Sequence, residues 1–157
     1  MRKLAWLNHL LVYLLWAIVL AVGIWLLLLS RNALFEVVGV LYVGDSLQRA
    51  RQLNSLEKFY SLGAGLAWLA MMIVSEFYFR SGARRGRLLE RFARVLGVEL
   101  LLLFVIDAAL VLVRGPGSVT WSRWLILGSE LVVGVACVLF ARRAPSITSD
   151  IVYDDEM

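Results

Sequence analysis

Four acids stand inside long apolar stretches of this chain: Glu76, Glu99, Asp107 and Glu130. An acid in such surroundings must hold a proton, meet a cation or bind an ion, so each is a functional suspect. Asp107 precedes Arg114 by seven residues, and Glu130 follows Arg123 by seven. Seven residues is close to two helical turns, so each acid is expected on its arginine's face, ~10.5 Å deeper along the helix. Asp107 and Glu130 thus form an expected polar layer at matching depth. Two neighbouring carboxyls share one proton more cheaply than they both ionise. The same pair suits a cation from another subunit, a transported ion or proton, or hydrogen bonds to Ser129, Tyr13 or backbone carbonyls.

Glu76 is four residues from Arg80, Glu99 five from Arg94 and His9 six from Lys3. These short distances to basic residues predict a second polar layer, His9 with Glu76 and Glu99, near the cytoplasmic surface. His9 is the one histidine. It is the only candidate ligand for a haem or chlorophyll-type pigment, and bis-His haem would need a second histidine. No other cofactor is expected. With one cysteine and one histidine, a structural zinc site and an internal disulfide are both excluded.

Cys137 follows Glu130 and Gly134 along one helix face, with Ala141 next. Small residues in such a stripe let another backbone approach, so Gly134 and Cys137 are read as packing residues. Gly63 and Gly65 supply the same feature earlier in the chain. The sequence has no Gly-rich phosphate loop, no nucleophile elbow and no HExxH, and an enzyme is not expected.

These residues need elements to hold them, and composition says what kind. Of 157 residues, 61% are hydrophobic and 18% charged, against ~25% charged in ordinary soluble domains. Mean hydropathy is +0.80. A soluble fold of this size could not hide so much apolar surface, so lipid must solvate much of it. A disulfide scaffold, a disordered chain and a nucleic-acid-binding module are excluded. The net charge of +4 marks topology rather than DNA binding.

Four apolar stretches reach the ~20 residues that a bilayer crossing needs: about 4–29, 59–79, 95–113 and 121–141. Each must be helical, since lipid offers no partner for a free backbone group. The expected fold is an all-α integral membrane protein with two antiparallel hairpins. It comprises one transmembrane domain over 1–145 and an acidic tail over 146–157. The first apolar run is too long for a signal peptide and is read as an uncleaved span. Arg2 and Lys3, the link arginines Arg80, Arg84, Arg85, Arg87, Arg91 and Arg94, and Arg142 with Arg143 gather on one side of the spans. That excess places both termini in the cytoplasm.

The long loop 30–58 is expected at the interface, with Asp45 and Gln48 capping a short helix and Asn54 with Glu57 starting the second span. Arg114 to Ser118 reads as a tight turn. The basic link, with Leu88, Leu89 and Phe92 at helical spacing, suits an amphipathic surface helix on anionic headgroups, or a docking surface. In the tail, Asp150, Tyr153, Asp154, Asp155 and Glu156 are read as docking on that link or on another subunit.

The leading expectation is an accessory, non-catalytic subunit of a larger bacterial inner-membrane complex. It is held by intramembrane acids, small-residue faces and the basic link with its acidic tail. Its partners are then membrane lipids and other membrane subunits, or further copies of itself. The alternative is a proton- or ion-conducting oligomer using Asp107 and Glu130. A third is a pigment- or haem-binding subunit through His9.

Overall fold

The chain carries two prolines, Pro116 and Pro145. Nothing in its first 115 residues therefore removes a helical hydrogen bond or clashes with the preceding turn. The structure, a computed structural model, describes residues 2–41, 46–115, 117 and 120–143. These form four helices: α1 (Arg2–Leu41), α2 (Ser46–Arg84), α3 (Leu88–Arg114) and α4 (Trp121–Arg143). All four are long and apolar enough to cross a membrane.

At ~1.5 Å per residue, α1 with 40 residues and α2 with 39 run to ~60 Å, about twice the hydrocarbon thickness. The expected interfacial loop over 30–58 is thus largely helix, an extension of both spans. Asn54 does not start a helix, because α2 passes through it from Ser46. Its capping-box partner Glu57 instead pairs with Arg31 across the hairpin. Ser30 and Tyr60 share a hydrogen bond one turn deeper. The capping role of Asp45 and the docking of Asp150, Tyr153, Asp154, Asp155 and Glu156 lie outside the described residues.

The basic link is not a separate surface helix. The chain leaves α2 at Arg84 and enters α3 at Leu88, turning through Gly86, whose φ of 68° favours glycine. Leu88 is buried and Phe92 packs against the same core, so only Leu89 of the expected apolar face is outward. Arg91 lies over the Tyr78 ring at 4.5 Å and donates to the Tyr78 carbonyl at 2.5 Å and to Ser81 Oγ. Arg94 pairs with Glu90 at 3.0 Å, and Arg80 with Glu76 at 3.4 Å. At least three link arginines thus have intramolecular partners, while Arg84 and Arg85 are exposed.

The core sits at this basic end, where Val12, Leu15 and Val19 of α1 meet Phe79 of α2 and Leu88 of α3. α3 is the central element: it touches each of the other three helices. Among the described residues α4 packs on α3 alone, so the four helices do not close into a bundle. The α3–α4 contact is close because two glycines face it. A Cβ at Gly97 would stand 2.9 Å from Val138 Cγ2 and 3.0 Å from the Gly134 carbonyl oxygen. Gly134 and Cys137, expected as packing residues, lie at this crossing. Gly63 and Gly65 face open space. Gly97→Leu is therefore expected to cost about 1–3 kcal/mol by overpacking. The check is the unfolding midpoint in mixed dodecylmaltoside–SDS micelles; a wild-type midpoint would show that the crossing tolerates a side chain.

Candidate functional site

α3 points Glu99, Leu103 and Asp107 inward at four-residue intervals, and all three are buried. Within this stripe, Glu99 turns away from the α4 crossing at Gly97 and towards α1. Glu99 lies eleven residues past Leu88 and fifteen before Arg114, or ~16 Å and ~22 Å from the two ends of the helix. It is therefore nearer the middle of α3 than to either end of the helix.

Gly23 of α1 makes room for it. A Cβ at Gly23 would stand 3.3 Å from Glu99 Oε1, 3.6 Å from Trp68 Nε1 and 2.9 Å from Met71 Cε. Side chains from α2 and α3 thus converge on a gap in α1. Glu99 is 3% exposed. Both of its carboxyl oxygens and Trp68 Nε1 are buried without a hydrogen-bond partner. Buried polar atoms are nearly always paired, and an unpaired carboxyl in an apolar setting is costly. The neighbouring Trp16 behaves normally: its Nε1 donates to Ser75 Oγ at 3.2 Å and to the Met72 carbonyl at 3.4 Å.

The same contacts dissolve the expected layer of His9, Glu76 and Glu99. Trp16 is level with Met72 and Ser75, whereas Gly23 is level with Trp68 and Glu99. Glu76 therefore lies roughly two turns nearer the basic end than Glu99 and is paired there with Arg80. His9 lies a further two turns out and is exposed. α3 begins six residues before Arg94, at Leu88, so Glu99 lies about three turns into the helix.

Asp107, 2% exposed, accepts a hydrogen bond from Arg123 on the first turn of α4. Arg114 turns instead to Glu36 of α1, its Nε donating to Oε2 at 2.8 Å. Both arginines thus find their acids on neighbouring helices, which the seven-residue spacing within one helix does not reveal. The reason is reach: an arginine spans the gap to a neighbouring helix as easily as two turns along its own. Since Arg123 meets Asp107, Glu130 lies deeper, one turn from Gly134, at a level between Asp107 and Glu99. The two acids of the expected layer are therefore staggered. Glu130 is half-buried with one oxygen sealed and unpartnered.

Trp68, Gly23, Gly97 and the Glu36–Arg114 clasp were not legible as site residues. A tryptophan or glycine in an apolar run carries no local mark of what it faces. Among the described residues no three His, Cys, Asp or Glu side chains cluster as a metal site requires.

The fold and these acids define an all-helical protein with four helices long and apolar enough to span a membrane, carrying a staggered series of carboxyls at its centre. The chain matches no protein-family model, no curated protein and no solved structure.

Proposed function

We propose that this chain is a proton-handling integral protein of the bacterial inner membrane, in which Glu99 takes up and releases a proton at mid-depth. One observation carries the reading: Glu99 is sealed within its own chain with neither oxygen hydrogen-bonded. A cation on another subunit has no access to it, whereas a proton neutralises it without new space. Glu130 and Asp107 stand at successive depths beyond Glu99, towards the end where Arg114 and Arg123 lie. A series of titratable groups at such steps suits stepwise proton transfer through transient water. The excess of arginine at the other end orients that end to the cytoplasm.

The test is the purified protein in liposomes, with a potassium gradient clamped by valinomycin and a pH dye inside. Wild-type vesicles are expected to acidify faster than empty ones, and Glu99→Gln vesicles no faster than empty ones. Wild-type vesicles that match empty ones would refute the proposal.

A second reading keeps the chain as an accessory, non-catalytic subunit of a larger membrane complex. It is favoured by α4, which packs on α3 alone and leaves Glu130 half-buried with an unpartnered oxygen. Under that reading the chain co-purifies with other subunits in mild detergent, and Glu130→Gln releases them. Asp107 no longer supports it, because its cation comes from its own chain.

A further inference from the structure

Where α1, α3 and the start of α4 meet at the end away from the basic link, they enclose an open cavity of about 320 Å³. Asn32, Arg114, Thr120 and Arg123 supply its polar wall, and Leu110 and Val111 are among its apolar lining. We infer that this cavity binds the phosphate-bearing headgroup of a membrane lipid. The inference does not rest on the role of Glu99.

Depth is the first support. Arg114 is the last residue of α3 and Thr120 directly precedes α4, so the polar wall stands where helices end, at headgroup level. Leu110 and Val111 lie one turn deeper along α3, at the level of acyl chains. Access is the second. α1 and α4 both pack on α3, and among the described residues their backbones do not approach each other closely. The space over α3 between them therefore opens sideways into the bilayer, and a lipid enters it without leaving the membrane.

Charge is the third. Glu36 engages Arg114, and Asp107 engages Arg123 through one guanidinium nitrogen. Both acids are thereby committed. The remaining donors of Arg123 and the Asn32 amide need acceptors. The Thr120 hydroxyl shares a hydrogen bond with Ser122 Oγ at 3.1 Å, and it can accept that bond and keep its own proton for a ligand. An ionised phosphodiester supplies the acceptors. The N-terminus of α4 adds its positive pole, with first-turn N–H groups that have no partner within the helix. Of these, the Arg123 N–H is taken by the Thr120 carbonyl at 2.9 Å. A neutral headgroup without phosphate leaves this donor set unmatched.

The experiment is native mass spectrometry of the detergent-purified chain with dioleoylphosphatidylglycerol, dioleoylglycerol or inorganic phosphate. The variant is Asn32→Leu with Thr120→Val, which removes two donors and leaves both ion pairs in place, so the fold is kept. Phosphatidylglycerol is expected to stay bound under activation that strips dioleoylglycerol. The double variant should lower its retention by about a hundredfold, the scale of two lost hydrogen bonds to a charged group at about tenfold each. Equal retention of the two lipids, or unchanged retention by the variant, overturns the assignment. Displacement of the lipid by inorganic phosphate at similar concentration also overturns it, and makes the site one for free phosphate.

Discussion

Replacing Arg123 with Gln should destabilise the protein by about 3–5 kcal/mol. The reason is asymmetric burial. Asp107 is 2% exposed, whereas the Arg123 side chain is 33% exposed. Removing the arginine strands a carboxylate in the protein interior, the costly way to break a buried pair. Asp107→Asn should cost less, since the freed arginine extends to the headgroup region by snorkelling. The double variant should recover most of the loss, because no charge is then left buried. The measurement is a double-mutant cycle on unfolding midpoints in mixed micelles. Equal costs for the two single variants, or additive costs in the double, would mean that the pair does not hold α3 to α4.

Glu99→Leu is expected to act in the opposite direction and raise stability at neutral pH by about 1–3 kcal/mol. The substitution removes two buried oxygens that have no hydrogen bond, and an unpaired buried polar group carries a penalty of that order. Glu99→Gln should gain less, because its amide is equally unpartnered while its charge cost is gone. Flux is expected to vanish in both. Activity lost together with stability gained identifies a residue held at an energetic cost for what it does. A destabilised Glu99→Leu variant would instead assign the carboxyl a structural bond, for which Trp68 Nε1, unpartnered and beside the same gap at Gly23, is a candidate donor.

Much of the architecture was readable before any coordinates. Four spans followed from apolar run length, because a bilayer imposes a length and a helix satisfies its own backbone. The lower and upper limits of the spans were less legible. Residues 30–41 and 46–58 look like loop by composition, yet they are helix, because no proline interrupts them and each supports the other through Arg31–Glu57. Arginines that count as topology signals in the sequence also have specific partners in the fold, as Arg91 does on Tyr78.

The acids divide along the same line. That Glu99, Asp107 and Glu130 are unusual was a property of their types and of the run around them, and so was visible in the sequence. Which partner each meets was not. Spacing along one helix ranks faces, but the choice between Arg114 and Arg123 for Asp107 depends on how α3 and α4 cross, and that crossing is set by Gly97 against Gly134. The isolation of Glu99 depends likewise on Gly23, 76 residues away in the chain. Local chemistry is a one-dimensional quantity. Partnership is a matter of distance between helices, and only their packing decides it.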